Sequence, residues 1–289
     1  MLKINKDRLP IISVLGEISA PGMRTPYRTG FDGVSRVVAG TGGITYNARI
    51  GDPALGWVGD HVEPAVSSKN KDENSNSAYN TLSCVGNVAY VVDGAAKGAK
   101  GYVTGTHGGI EHVLIDFAPE ILEKLVVGDK IQVRATGQGL EIEGFPGIKC
   151  MNLDPDLFLR MGAKEAGDGV LEVPVAAIVP AELMGSGIGA ATAERGDYDI
   201  TTQDADALRE HGLENLRFGD IVAVRDRSSF YGRSYRKGAI EIGVVVHSDS
   251  KISGHGPGVT TLLTANRGEI RPVLDAGANI AFYLGVREP

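Results

Sequence analysis

Several things that place a protein quickly are scarce in this sequence. Its 289 residues include only two cysteines, Cys84 and Cys150, and neither belongs to a Cys-x-x-Cys pair. That argues against a zinc ribbon or a disulfide framework. No stretch approaches the ~20 apolar residues needed to span a bilayer. Near the start a short apolar run lies between Pro10 and Glu17, and no small-residue cleavage site follows it, so a cytoplasmic protein is expected. Positive charge is also in short supply, with 29 Lys and Arg against 36 Asp and Glu and a net charge of −7. Nucleic-acid binders draw affinity from neutralising phosphates, so nucleic acid is not the expected partner. The mixed cationic and aromatic stretch 225–237 reads instead as a hairpin tip or a subunit contact.

The common catalytic signatures are missing too: there is no P-loop, no Gly-x-Ser-x-Gly elbow and no kinase motif set. Met184-Gly-Ser-Gly-Ile-Gly-Ala190 contains Gly-x-Gly-x-x-Ala. Residues 180–184 separate it from the preceding strand, however, and Gly196-Asp197 ends any helix after it, so a dinucleotide site is rejected.

What the chain has in quantity is glycine, 40 residues, together with many short β-branched runs and few helical stretches. This is the profile of a turn-rich, mainly β protein. Residues 44–50 alternate as a half-buried strand does, while 240–246 and 259–263 read as buried strands. Short helices are expected at Pro119, at Asp154-Pro155 with an N-cap and an N1 proline, and at Asp204. The polar, asparagine-rich stretch 67–80 reads as a surface loop. Leu-x-x-Gly-Asp occurs at 125–129 and again at 216–220, each time entering a strand, with Asp129 and Asp220 as turn formers. The predicted architecture is a layered β-sandwich built from residues 1–118 and 151–289, with a small β-barrel inserted at 119–150. Many short strands leave edges to cover, so a homo-oligomer is expected.

The histidines are the expected carriers of chemistry. Five of the six (His61, His107, His112, His247 and His255) lie in glycine-rich segments at strand ends with acids nearby. His211 ends a helix, where a cation is favoured, and reads as structural. If the strand 240–246 continues to Asp249, then Glu241, His247 and Asp249 share one face, because side chains alternate along a strand. Glycine-bounded strand ends of β proteins gather at one rim, which would bring residues 105–112 up to 253–258. The predicted metal ligands are His107, His247 and His255, with Glu111 and Asp249 as acid–base groups. Gly254, Gly256 and Gly258 would let backbone approach a ligand closely, and His61 and Glu63 would complete the rim. Imidazole with carboxylate suits Zn, Mn or Fe, and a divalent ion activates water near neutral pH. The expected function is a divalent-metal-dependent hydrolase or lyase acting on a small polar substrate. The alternative is a non-catalytic oligomeric β protein whose glycine loops bind a small anionic ligand or a partner.

Four motifs taken together, Gly40-Thr-Gly-Gly-Ile-Thr-Tyr-Asn47, Gly59-Asp-His-Val-Glu-Pro64, Thr106-His-Gly-Gly-Ile-Glu-His112 and Ser253-Gly-His-Gly-Pro-Gly258, resemble an uncharacterised prokaryotic domain-of-unknown-function family known mainly from structural genomics. The resemblance spans nearly the whole chain. It implies a mainly β architecture of stacked sheets with a small barrel similar to those of translation factors, and it implies no activity and no catalytic residues.

Overall fold

A computed structural model describes residues 2–22, 25–37, 40–185 and 192–288. Most of the Gly-x-Gly-x-x-Ala motif, residues 186–190, lies outside them. The first half of the chain supplies strands β1 (Ile12–Ile18), β2 (Tyr27–Thr29), β3 (Ser35–Val37), β4 (Ile44–Thr45), β5 (Ala65–Lys69), β6 (Val88–Val91), β7 (Lys100–His107), β8 (His112–Asp116) and β9 (Lys130–Ala135). The second half supplies β10 (Ile148–Cys150), β11 (Lys164–Glu165), β12 (Leu171–Val175), β13 (Ala177–Val179), β14 (Ile221–Ser228), β15 (Ser234–Val245), β16 (Val259–Ala265) and β17 (Ile270–Leu274). The helices are short: α1 (Glu73–Leu82), α2 (Pro119–Leu122), α3 (Pro155–Arg160), α4 (Ala205–Glu210) and α5 (Ile280–Tyr283). The mainly β character follows from the β-branched runs, and none of these helices is long and apolar enough to cross a membrane.

Strands β1, β9, β6, β7, β8 and β5 pair in that order, and β5 returns to β1 through Glu17↔Lys69 and Ile18↔Ser68. The result is a closed six-stranded barrel, which leaves no free edge among its own strands. Alternation fills it with Ile18, Val66, Ala89, Val103, Val113, Ile115, Ile131 and Val133. A five-stranded sheet, β10-β16-β15-β14-β13, and a three-stranded sheet, β11-β12-β17, share a second core around Val173, Val222, Val224, Ile242 and Leu263.

The barrel is therefore not an insertion at 119–150. That stretch contributes β9 to the barrel and β10 to the five-stranded sheet, while the other barrel strands come from residues 12–116. Closure depends on pairing β1 with β5 and β9, and contacts between strands so far apart in sequence leave no local mark. A second departure is at 67–80, where β5 is followed by α1 rather than a loop. Asp72 caps the helix by accepting from the Ser75 amide, and Asn76, Tyr79 and Asn80 form its buried face. A helix that buries asparagines hides its apolar period from the sequence.

The two parts meet along β7 and β16. The Thr260 hydroxyl lies 3.3 Å from the Thr106 amide and 3.2 Å from its carbonyl, bonding to both. At Gly105 a Cβ would stand 2.1 Å from a Val246 methyl, so glycine permits the close approach there. This seam sets the turn end of the β7–β8 hairpin beside the chain that leaves β15.

Candidate metal centre

Three segments converge at the seam. The first is residues 60–63, just ahead of β5. His61 adopts a left-handed backbone conformation, φ 53°, and its amide bonds the Asp249 carbonyl at 3.3 Å. Val62 exchanges bonds with Ser248, accepting from its amide at 3.0 Å and donating to its hydroxyl at 2.8 Å. The second is the β7–β8 hairpin, in which His107 and His112 are directly paired and so share one face. The carbonyl of Glu111 in its turn accepts from the Asn76 and Asn80 side chains, each at 3.1 Å, so the unforeseen helix braces the hairpin. The third is residues 197–199, where Tyr198 exchanges backbone bonds with Val259. The extended backbone turns Asp197 and Asp199 to one side and Tyr198 to the other, where the Arg227 and Arg233 guanidiniums lie 3.4 and 4.5 Å from its ring centre.

Six side chains fall into two groups with metal-ligand spacing: His61, Asp199 and His255 in one, His107, Asp197 and His247 in the other. In the first, Asp199 Oδ2 lies 2.9 Å from His255 Nδ1 and 3.3 Å from His61 Nε2, and those two nitrogens are 3.1 Å apart. In the second, His247 Nε2 lies 2.7 Å from Asp197 Oδ2, and the His107 and His247 ring centres are 4.2 Å apart. Asp197 is fixed from behind by the Gly108 amide at 2.6 Å.

Three of the histidines have their outward nitrogen assigned to a partner. His107 Nδ1 lies 2.7 Å from Glu63 Oε1, His61 Nδ1 lies 3.1 Å from Asp60 Oδ2, and His247 Nδ1 donates to the Ser248 carbonyl at 2.9 Å. Nε2 of His247 and of His61 is thereby turned inward, to Asp197 and Asp199. Metal-binding histidines are oriented in this way, by a carboxylate or carbonyl on the other ring nitrogen. Glu63 itself is fully buried. It also meets His112 Nδ1 at 3.0 Å, the Gly42 amide at 2.6 Å and the Ser67 hydroxyl at 2.5 Å.

The charges follow from this packing. Burial disfavours the Glu63 carboxylate, but His112 and His107 outweigh it and hold its pKa well below the usual range. Burial also works against ionisation of Asp197 and Asp199, and the facing histidines, His247 foremost, reverse it in both. His247 is driven well above the ordinary imidazole value because Asp197 and Asp199 overcome its burial. His107 is lowered, first by burial and then by the neighbouring His247. The site is therefore a buried cluster in which carboxylates and imidazoles hold one another's charge.

The structure brings His107 and His247 together and places His255 with His61 in the adjoining group. Gly258 allows this closeness, since a Cβ there would fall 2.0 Å from Asp197 Oδ2 and 2.3 Å from His247 Nε2. Gly256 carries its amide to within 3.3 Å of Asp199 Oδ2, whereas Gly254 makes the turn, φ 77°, and its amide donates to Gln203 Oε1 at 3.3 Å. Glu111 and Asp249 stand outside both groups. Glu111 is 3.7 Å from Arg195, and Asp249 accepts from the Gly56 amide at 3.2 Å and leaves Oδ1 without a partner among the described residues. The expected strand face of Glu241, His247 and Asp249 does not form, because β15 ends at Val245 and the backbone beyond it bonds Val62 and Ala54. Glu241 is occupied with Ser229 and Thr261. Asp197 and Asp199 were not among the expected ligands. Their signal was Asp-x-Asp, which places two carboxylates on one face once the segment is read as extended.

The chain matches two family models described as "Domain of unknown function (DUF4438), N-terminal" over residues 27–159 and "Domain of unknown function (DUF4438), C-terminal" over residues 160–284. It belongs to that family. It is similar to a solved structure titled "Crystal structure of TM1086", with 48% identity over 97% of this chain and 98% of the other and a TM-score of 0.93. No curated protein matches it.

Proposed function

We propose that this member of the DUF4438 family is a divalent-metal-dependent hydrolase or lyase acting on a small polar substrate. The observation that carries the reading is the orientation of His61, His107 and His247, each with Nδ1 tied to an outer acceptor, with Nε2 of His61 and His247 turned to Asp199 and Asp197 and His107 grouped with Asp197 and His247. Turning the same nitrogen of several rings towards a pair of carboxylates is the arrangement in which imidazole and carboxylate share a metal ion. His255, with about a third of its side chain exposed, is the edge at which solvent and substrate reach the donors.

A Zn, Mn or Fe ion held there would make a bound water acidic near neutral pH. The chain would contribute oriented donors, a water-poor surround and a proton acceptor. For the acceptor we assign Asp249, whose Oδ1 has no partner among the described residues and whose carbonyl holds the His61 amide. Glu111, paired with Arg195, is the weaker choice.

The test is elemental analysis of protein purified without a metal-affinity tag, followed by an ester and phosphoester hydrolysis screen with and without chelator. Stoichiometric transition metal and chelator-sensitive turnover are expected. Protein that neither carries nor takes up Zn, Mn or Fe would end the reading.

A further inference from the structure

We propose that the two donor groups form a single two-ion centre bridged by Asp199, with a buried inner ion and an outer ion that meets the substrate. This rests on the metal-dependent reading above and goes beyond it in stoichiometry and in the role of each ion. Asp199 offers Oδ2 to His255 Nδ1 at 2.9 Å and to His61 Nε2 at 3.3 Å. Its other oxygen, Oδ1, lies 3.6 Å from His247 Nε2, which belongs to the other group. Donors that share an ion at ~2.0–2.2 Å stand about 3.0–3.5 Å apart. Each Asp199 oxygen is therefore placed to join a different set, as a bridging carboxylate requires. The rings pack to match, with His61 centred 4.9 Å from His247 and 5.6 Å from His107. Paired catalytic ions stand about 3.5–4 Å apart, a separation one carboxylate spans.

The two positions are unequal. The inner ion has His107, Asp197, His247 and Asp199 Oδ1, four protein donors, each no more than 8% exposed at its side chain. Four protein ligands make a closed site, and three leave coordination positions open for water and substrate. Among the described residues the outer ion has three donors, His61, His255 and Asp199 Oδ2, and His255 is 32% exposed. The inner ion therefore binds first and tightly, while the outer ion exchanges and carries the substrate.

The experiment uses metal-stripped full-length protein titrated with Mn2+, followed by calorimetry and electron paramagnetic resonance. Two ions per chain are expected, binding in two steps at least tenfold apart in affinity, with a spin-coupled signal at full loading. His255→Ala should keep one ion with an uncoupled signal, and Asp199→Asn should abolish the coupling. If His255→Ala fails to fold, the two wild-type steps and the coupling decide the matter. One ion per wild-type chain, or two ions without coupling, would overturn the bridged centre and leave metal dependence standing. No bound ion at all would overturn both.

Discussion

Glu63 Oε1 lies 2.7 Å from His107 Nδ1, and this contact leaves the ring with a single free nitrogen. The carboxylate comes from the loop before β5 and the ring from the end of β7, so barrel closure sets the tautomer of a candidate ligand. Replacing Glu63 by Gln keeps the shape but removes the charge and presents an amide to four donors. Metal affinity should fall about 10–100-fold, the usual cost of losing such an orienting partner. Calorimetric titration of Glu63→Gln checks this, and unchanged affinity would count against an orienting role.

Metal uptake should depend on pH in a definite direction. Burial lowers the His247 pKa, but Asp197 and Asp199 reverse this and raise it well above the ordinary imidazole value, so the metal-free ring is protonated at neutral pH. An ion must displace that proton. Affinity should rise from pH 6 to pH 8, and titrations near pH 7 in buffers of different ionisation heat should report proton release. A buffer-independent heat would contradict this.

The same group predicts the stability of the metal-free protein. A folded pKa above the unfolded one stabilises fully below about pH 6.5 and is lost as pH rises through the folded value. The thermal midpoint of stripped protein should therefore fall towards alkaline pH, and metal loading should remove the decline. Melting curves from pH 6 to 10, with and without metal, test both halves.

Gly258→Ala is expected to damage the site directly. Its Cβ would meet Asp197 Oδ2 and His247 Nε2 at 2.0 and 2.3 Å. Overpacking of this kind costs about 1–3 kcal/mol. The variant should melt lower and lose the inner ion first, as metal analysis after gel filtration would show.

Glu111→Gln should retain full metal content. The side chain lies outside both donor groups, and its 3.7 Å contact with Arg195 is partly exposed, so its loss should cost less than about 1 kcal/mol. A substantial loss of bound metal would mean that the hairpin turn rearranges to bring Glu111 in.

Much of this protein is decided locally and can be read in the sequence. The α3 cap forms as Asp154-Pro155 implies, with Asp154 accepting from the Asp156 and Leu157 amides. Asp129 and Asp220 make their turns by accepting from Val126 and Arg217. The histidine-bearing glycine loops stand out in the sequence, because a ligand type beside a tight turn is a local pattern, and His107 and His247 from them do meet in space. Tertiary structure decided the rest. A barrel closes only when strands far apart in sequence meet, so its position could not be read from residues 119–150 alone. The acids of the candidate centre, Asp197 and Asp199, share a face because Tyr198 pairs with Val259. Two carboxylates two residues apart are commonplace in any sequence. They become candidate ligands when folding buries them against histidines from three other segments and leaves the negative charge nowhere else to be met.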